Sequence, residues 1–570
     1  MVDRIIETDV LVVGAGGGGV RAAVEAHEAG ARVLLLSKGI VGKSGLTQTA
    51  VTGFQVAYGY ADPRDNPDVH YADTMRGSYG LADPALVRIF TREVLDAVAD
   101  IERFGGRFDR DESGKLIQRK LDASQTYPRS IKKGDSLGTP IMQALRREMN
   151  KRGIPRMHEM LVTRLIKDGD RVSGAVALDF RTGEVVAIRA RAVILATGGA
   201  GELFPVNSNT PDSTGDGYTL ALDAGADLVD IEFILMLGHA VLHPVAVRGV
   251  LFTFQYLLPK GAAPLYNAEG EPFLSRYDPE GSDNPARHIY ARAIHGEVRA
   301  GRGTPHGGAW FDPASVSMET LHETLPSQTQ YLQSFGVDMR KPIEVGVAAH
   351  YVCGGVKIGP DAETTLRGLY AVGECSGGVH GAARVGGNSL SELLVFGKRA
   401  GRHAAEYAAK AGAVRGDGDA EIAEYRRVLG LLDRGRDGPR PTELKQRLQR
   451  TMDQHVGVVR NDAGLAEAIA ALETMETDML PVMSVASDDR IGNYDWVEAL
   501  EVSSMVRLGR AIAGAARLRT ESRGAHYRED HPDPDDGAWR KNILIRADGG
   551  EIAFRTQPAA PEHLAFEKVA

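Results

Sequence analysis

Cysteine is almost absent from this chain of 570 residues, in which Cys353 and Cys375 are the only two thiols. Two cysteines exclude a disulfide scaffold, and they cannot form a four-cysteine cluster within this chain. Long apolar runs are lacking as well, since no stretch approaches the ~20 residues that a membrane-spanning helix needs. The N-terminus lacks the basic start, apolar core and cleavage site of a signal peptide. We therefore expect a cytoplasmic protein with no transmembrane segment and no metal site.

Positive charge is scarce relative to negative charge. Lys and Arg number 67 against 76 Asp and Glu, the net charge is −9, and no long basic run occurs. That balance argues against a nucleic-acid partner. A hydrophobic share of 43% and a charged share of 25% are typical of a globular enzyme, and the length predicts about two to four domains. Glycine is abundant instead, with 67 residues that cluster.

The first glycine cluster follows a short apolar strand at residues 9–13. It runs Gly14-Ala-Gly16-Gly-Gly-Gly19 and leads into a helical pattern. A G-x-G-x-x-G segment between a strand and a helix is typical of dinucleotide-binding domains. Gly14 permits the tight turn, Gly16 lets the backbone approach a pyrophosphate, and Gly19 lets helix and strand pack closely. The helix N-terminus then offers N–H groups to the phosphates.

The second strand, at 32–36, ends in Ser37-Lys38. Simple NAD sites place an Asp or Glu there to bind a ribose hydroxyl. Its absence disfavours a simple NAD site, although FAD and NAD both stay open at this point.

Periodicity divides the rest of the chain. It predicts helices at 84–105 and 138–152, strands at 160–178 and 184–196, and a strand at 369–372, followed by helices at about 419–433, 441–456, 461–480 and 494–518. We expect a glycine-rich α/β domain in two parts (1–235 and 346–411), an inserted region (236–345), a linker near 412–418, a helical domain (419–535) and an extension (536–570). The residues beyond about 520 are expected to be charged and then irregular.

Seven motifs, taken in order, resemble those of one family. They are the cluster at 14–19, ATGGAG at 196–201, TGDG at 214–217, HYVCGG at 350–355, GLYAVGEC at 368–375, ARVGGNSLSELLVFG at 383–397 and ESRGAH at 521–526. The chain resembles, over nearly its whole length, the flavoprotein subunit family of succinate dehydrogenase, fumarate reductase and L-aspartate oxidase. The resemblance implies a Rossmann-type α/β FAD-binding domain, an inserted α+β capping domain and a C-terminal helical-bundle domain.

The resemblance also implies FAD contacts from glycine loops and strand ends. The implied residues are Gly14, Gly16, Gly19, Ser37, Lys38, Ser44, Gly45, Thr47, Val162, Ala196, Thr197, Gly198, Asp216, Glu374, Ser389 and Leu390. A buried, merely structural carboxylate is the alternative for Glu374, but we favour its binding of ribose or ribityl hydroxyls.

Covalent members of the family bond the flavin to a His within an R-S-H-T segment. The corresponding run here is Lys43-Ser44-Gly45-Leu46-Thr47, in which Gly45 takes the His position. Glycine has no side chain to bond, so we predict non-covalent FAD. The missing bond argues against routine succinate oxidation linked to quinone.

Three residues match the catalytic positions of the family. Arg287, in NPARHIYARAI, aligns with the proposed proton shuttle, and His350 and Arg384 align with the ligands of a substrate carboxylate. A planar guanidinium suits a carboxylate. Tyr351 and His380 are secondary candidates.

Two expected motifs are missing. Members that act on dicarboxylates carry E-F-x-Q-[FY]-H-P-T and, further on, a Thr-Glu pair. Here Leu237 takes the His position, although His239 or His243-Pro244 could substitute in a shifted register. The stretch expected to hold the Thr-Glu pair, 247–267, is apolar and aromatic, and includes Phe254. Because an unpaired carboxylate avoids apolar surroundings, we expect Leu237, His239, Phe254 and Tyr351 to line a substrate site with His350 and Arg384. The alternative is that 247–267 is only core of the capping domain.

We therefore expect an FAD-dependent oxidoreductase that desaturates, or reduces, the C–C bond α,β to a carboxylate or ketone. The expected substrate has one carboxylate and an apolar or cyclic body, such as a cyclic keto acid. A soluble fumarate reductase or succinate dehydrogenase flavoprotein and an amine oxidase of the L-aspartate oxidase type are the alternatives. The electron acceptor stays open between oxygen, a quinone and a partner protein. Two other function classes also stay open: an electron-transfer subunit with an iron–sulfur partner, and a non-catalytic FAD-bound scaffold.

Overall fold

A computed structural model describes residues 2–51, 53–121, 124–258, 265–278, 287–414 and 416–561. Residues 259–264 of the apolar stretch, residue 415 of the linker and residues 562–570 of the extension lie outside this description.

The strands form sheets of two to seven strands. They are β1 (Arg4–Val13), β2 (Val33–Leu36), β3 (Phe54–Gln55), β4 (Ser130–Ile131), β5 (Arg156–Met157), β6 (Met160–Asp168), β7 (Arg171–Asp179), β8 (Glu184–Leu195), β9 (Leu228–Val229), β10 (Ile234–Val241), β11 (Ala309–Phe311), β12 (Ile343–Val352), β13 (Gly355–Lys357), β14 (Leu369–Ala371), β15 (Ser376–Gly377), β16 (Lys541–Asp548) and β17 (Glu551–Pro558).

The α-helices are distributed along the whole chain. They are α1 (Gly17–Glu28), α2 (Pro67–Gly77), α3 (Pro84–Arg103), α4 (Gly138–Lys151), α5 (Asp216–Ala224), α6 (Arg287–Arg299), α7 (Met318–Thr324), α8 (Pro326–Ser334), α9 (Asn388–Lys410), α10 (Gly418–Gly430), α11 (Pro441–Val456), α12 (Asp462–Thr474), α13 (Tyr494–Leu518) and α14 (Asp536–Trp539).

The first sheet carries the glycine loops. Its order is β5-β2-β1-β8-β7-β6, with β14 also paired to β8. The central pairs β1–β2, β1–β8 and β14–β8 are parallel. Residues 10–13 of β1 are continuously apolar and buried, as expected for a parallel strand covered on both faces. The carboxyl ends of β1, β8 and β14 therefore meet at one edge, where ligands bind in open α/β sheets.

Helices α1 and α9 pack together on this sheet. Two glycines of α9 make the close approach possible, because a Cβ on Gly401 would lie 2.3 Å from the Ala22 carbonyl oxygen and one on Gly397 would lie 2.9 Å from that of Gly18. Helix α1 belongs to the first part of the two-part domain and α9 to the second. Their packing therefore brings residues from both parts to one site.

The inserted region has its own core. Its sheet, in the order β10-β12-β11, is antiparallel. A hydrophobic cluster separate from that of the first sheet joins Phe252, Phe254, Ile294, Phe311 and other side chains from 241–345. Two cores in one chain follow from its length, and the boundaries assigned from the sequence stay predictions.

The C-terminal helices match the sequence prediction closely. Helices α11 and α13 have the predicted bounds, and α12 continues through a π-helical turn at Met475–Met479. The expectation of an irregular C-terminus was wrong. Strands β16 and β17 form an antiparallel hairpin that pairs with β9, and Ile543 and Ile545 are buried. The overlooked signal is the Gly549-Gly550 turn between two alternating apolar patterns.

Among the described residues, none of the helices is both long and apolar enough to cross a lipid bilayer.

Candidate active site

One cavity of about 610 Å³ opens at the carboxyl edge of the first sheet. It is lined by nearly all of the predicted FAD residues, namely Gly14, Gly16, Ser37, Lys38, Ser44, Gly45, Thr47, Val162, Ala196, Thr197, Gly198, Asp216, Glu374, Ser389 and Leu390. His350, Tyr351 and Arg384 line the same cavity. The fold therefore brings the predicted cofactor residues and the predicted anion ligands to one space.

The glycine loop has the shape that a phosphate cradle needs. Gly14 has a φ of +103°, and a Cβ there would lie 2.2 Å from the Ala196 carbonyl oxygen. A Cβ on Gly19 would lie 1.9 Å from the Gly14 carbonyl oxygen. Gly19 thus packs helix against strand and does not line the cavity, whereas Gly16 does. Thr47 holds the first turn of α1, since its Oγ1 accepts from the Gly17 amide at 3.1 Å.

Lys38 and Asp216 bind each other at the cavity wall. The Lys38 ammonium lies 2.8 Å from an Asp216 oxygen and 2.7 Å from a Glu501 oxygen. Burial opposes the charge of Lys38, but these two carboxylates raise its pKa above the usual value. Glu501 comes from α13 and was missed by the sequence reasoning, because no local pattern links a C-terminal helix to the second strand.

Several polar groups around the cavity fit a cofactor rich in hydroxyl and phosphate oxygens. Thr197, Asn209 and Thr210 each have a buried side-chain oxygen for which no hydrogen-bond partner occurs in the described ranges. Glu374 accepts from the Val352 amide at 3.1 Å, and burial raises the pKa of Glu374 to about 7. Buried polar atoms are rarely left without partners, so this lining suits FAD.

His350 and Arg384 form the polar end of the cavity. One Arg384 Nη lies 3.1 Å from His350 Nε2, and His350 Nδ1 lies 2.8 Å from the Ser208 hydroxyl. Arginine can only donate, so Nε2 accepts and Nδ1 carries the proton. Burial, and then the charges of Arg384 and Arg287, hold the pKa of His350 well below its usual range. His350 is therefore a neutral side chain that orients the guanidinium.

Arg384 is a buried cation that no carboxylate of the described residues pairs with. Its exposure is 5%, and its guanidinium lies over the Tyr351 ring at 4.3 Å. Burial, followed by the charge of Arg287, lowers the pKa of Arg384. Within the described parts of the chain no ion pair includes Arg384, and its buried Nε has no hydrogen-bond partner. Tyr351 in turn contacts His380, with 3.2 Å between the hydroxyl and Nε2.

Arg287 lies behind Arg384. It begins α6, is half-buried, and donates to the Arg384 carbonyl oxygen at 3.0 Å. Arg287 does not line the cavity. The charge of Arg287 therefore acts on Arg384 from outside the cavity.

The predicted substrate residues Leu237, His239 and Phe254 lie outside the cavity lining. Leu237 packs in a cluster with Phe233 and Leu235, and His239 stacks on Phe254 with 4.6 Å between ring centroids. Burial and Arg287 lower the pKa of His239 to about 3. None of the three lines the cavity. Every residue of β10 is buried, so alternation could not show which face of that strand meets a ligand.

The part of the cavity formed by the inserted region has a different lining. It consists of Arg248, Gly249, Val250, Leu251, Ser327, Gln328 and Tyr331. Sequence reasoning missed the polar members of this set, because a helix that begins Pro326-Ser327-Gln328 looks like any exposed helix start.

The pH dependence of stability tests the raised pKa of the buried Glu392 carboxyl. Glu392 follows the cavity residues Ser389 and Leu390 on α9. Burial raises the pKa of Glu392 to about 8, against 4.5 for the free side chain. Between these two pH values the folded chain binds a proton that the unfolded chain has lost, so the free energy of unfolding falls as the pH rises. We expect Glu392→Gln to reduce the fall in denaturation midpoint between pH 5 and 8. Glu473→Gln, at an exposed helix position, is the control, and an unchanged slope in Glu392→Gln contradicts the assignment.

Comparison with known proteins identifies the family. The chain matches the model of an FAD binding domain over residues 9–390 and that of the fumarate reductase flavoprotein C-terminal region over 445–569. It is 40% identical over 549 residues to a subunit of the fumarate reductase (CoM/CoB) of Methanothermobacter marburgensis, a match that covers 96% of this chain and 98% of the relative. It is 31% identical over 589 residues to a succinate dehydrogenase flavoprotein subunit of Coxiella burnetii, with coverage of 98% and 97%.

The fold agrees with these matches. The structure of Mycobacterium smegmatis Sdh1 in complex with UQ1 superposes with a TM-score of 0.90 at 35% identity, over 99% of this chain and 96% of that one. The chain thus has an FAD-binding domain and a C-terminal domain, its cofactor is FAD, and it is an FAD-dependent oxidoreductase. It belongs to the family of succinate dehydrogenase, fumarate reductase and L-aspartate oxidase flavoproteins.

Proposed function

We propose that this enzyme desaturates, or reduces, the C–C bond α,β to a carboxylate or ketone, in a substrate that presents one carboxylate to Arg384. The observation that carries the proposal is the buried Arg384 guanidinium, which lines the cavity and has no carboxylate partner among the described residues. An unpaired buried charge is costly, and a substrate carboxylate supplies the missing partner with charge-assisted hydrogen bonds.

We assign each side chain at the polar end of the cavity a separate role. Bound FAD supplies the hydride acceptor or donor. Neutral His350 fixes the guanidinium of Arg384 through the 3.1 Å contact, and Arg384 binds the carboxylate and stabilises negative charge beside it. Arg287 lies next to Arg384 but outside the cavity lining, so its guanidinium would have to move toward the substrate to exchange the proton at the neighbouring carbon. An inserted region that closes over the substrate would exclude water from this step.

The second end of the substrate decides between dicarboxylates and other acids. Leu237 and Phe254 pack inside hydrophobic clusters, so neither offers a ligand for a second carboxylate. Neither residue lines the cavity, so the proposed apolar or weakly polar body rests on the missing dicarboxylate motif at Leu237 and not on an apolar cavity wall. The alternative is a fumarate reductase or succinate dehydrogenase activity, which the 40% identity to a fumarate reductase favours.

Non-covalent FAD is the first testable consequence. Gly45 lines the cavity and has no side chain, and a Cβ there would meet nothing within 4 Å. We expect trichloroacetic acid to release all of the yellow colour into the supernatant. Flavin fluorescence that stays with the polypeptide on a denaturing gel contradicts this.

The role of Arg287 is tested by Arg287→Ala. We expect turnover to fall by about 10²–10⁴-fold, as for loss of a positioned proton-transfer group, while the FAD content stays unchanged. Bleaching of the bound flavin by butyrate, succinate and L-aspartate measures both activity and substrate class. Arg299→Ala, on the exposed end of the same helix, is the matched control. Rapid bleaching by succinate or L-aspartate but not by butyrate contradicts the one-carboxylate proposal.

A further inference from the structure

The first turn of α8 is fixed by a carboxylate from the other core. Asp135 accepts from the Ser327 amide at 2.8 Å, from the Ser327 hydroxyl at 2.6 Å and from the Gln328 amide at 3.3 Å. The residue before the helix, Leu325, provides no side-chain cap. Asp135 is only 2% exposed and lies in the loop before α4. The amides of Leu137, which ends this loop, and of Gly138, which begins α4, donate to the Ala50 carbonyl. Ala50 itself lines the cavity.

Gln328 is held in one orientation. Its Oε1 accepts from the Thr253 amide at 2.9 Å, and its Nε2 lies 3.0 Å from the Thr253 hydroxyl. The backbone amide can only donate, so Oε1 and Nε2 cannot be exchanged. The amide nitrogen carries two hydrogens, and the contact with Thr253 uses one. Gln328 is 7% exposed and lines the cavity, which leaves one N–H for a ligand.

The buried charge beside Gln328 is negative, since it belongs to Asp135, whereas the buried charge of Arg384 is positive. In the portion of the chain that the structure describes, no ion pair includes Asp135, and its carboxylate occupies the positive end of α8. Lys132, which is 6% exposed, is a cation whose charge interacts with Asp135; its ammonium lies 5.3 Å from the Tyr256 ring centroid, and it does not line the cavity. Arg248, also in the lining, is exposed, so water screens its charge. A second substrate carboxylate beside Gln328 would therefore meet the buried charge of Asp135.

We propose that Gln328 is the distal binding point for the substrate and that its remaining N–H recognises an uncharged oxygen acceptor, a ketone or amide carbonyl; both donors of Ser327 are already bound by Asp135. Asp135 positions both residues and disfavours a second carboxylate. This inference rests on the proposed function, because it takes Arg384 as the ligand of the first carboxylate. It narrows the substrate to an acid whose far end carries a neutral carbonyl group.

Two series of saturated acids test this on the oxidised holoenzyme. The four-carbon series is succinamate, succinate and butyrate, and the six-carbon series is the monoamide of adipate, adipate and hexanoate. Dissociation constants come from the flavin difference spectrum. In at least one series we expect the monoamide to bind about 3- to 10-fold more tightly than the methyl-terminated acid, the value of one hydrogen bond, and more tightly than the diacid.

The variants separate recognition from folding. Gln328→Leu should abolish the preference for the monoamide over the methyl-terminated acid and leave the binding of the latter within about 2-fold, because a methyl group makes no hydrogen bond to Gln328. Asp135→Asn should strengthen the binding of the diacid, a gain that a folding defect would not produce. Gln333→Leu, exposed on the same helix, should change none of these ratios.

The outcomes distinguish this inference from the proposed function. If the wild-type enzyme binds methyl-terminated acids but Gln328→Leu leaves every ratio unchanged, the distal site is wrong and the proposed function stands. If the diacids bind most tightly in both series, or if no acid binds, the proposed function fails and this inference fails with it.

Discussion

This site depends on one constraint, the buried guanidinium of Arg384, which pairs with no carboxylate in the described part of the chain. Arg384 is held by the neutral ring of His350, the face of Tyr351 and the side chain of Arg287. These contacts fix its position but leave its charge unbalanced, so binding of an anion is more favourable there than in a site that already contains its own acid. The rest of the cavity then determines what the anion is attached to.

The fold delivers Arg384 to the flavin cavity through long-range packing. Parallel strands bring the glycine loops after β1, β8 and β14 to one edge, and α1 and α9 approach through glycines. The inserted region adds the first turn of α8, which Asp135 anchors to the loop before α4. The ion pair of Lys38 with Glu501 joins the C-terminal helices to the cofactor wall. One site thus depends on contacts among all of these regions.

The sequence predicts those features whose signal comes from neighbouring residues, and misses those that depend on tertiary contacts. The Gly14–Gly19 loop and helix α11 are predictable from the sequence, because turn geometry and apolar periodicity depend on neighbouring residues. Leu237 and Phe254 were correctly seen as apolar, but their places inside clusters depend on β10, a strand buried on both faces. Glu501, Asp135 and Gln328 gave no signal, since their roles arise only from tertiary contacts. The hairpin of β16 and β17 did have a local signal in its Gly-Gly turn.

Charge recognition at Arg384 is tested most directly by comparing crotonate with crotonamide, two molecules of the same shape of which only the first is charged. Dissociation constants from the flavin difference spectrum of the oxidised holoenzyme should favour crotonate by about 10- to 100-fold, the range expected for hydrogen bonds to a charged group. Equal or tighter binding of crotonamide would show that the buried guanidinium is not an anion receptor, and would contradict the account.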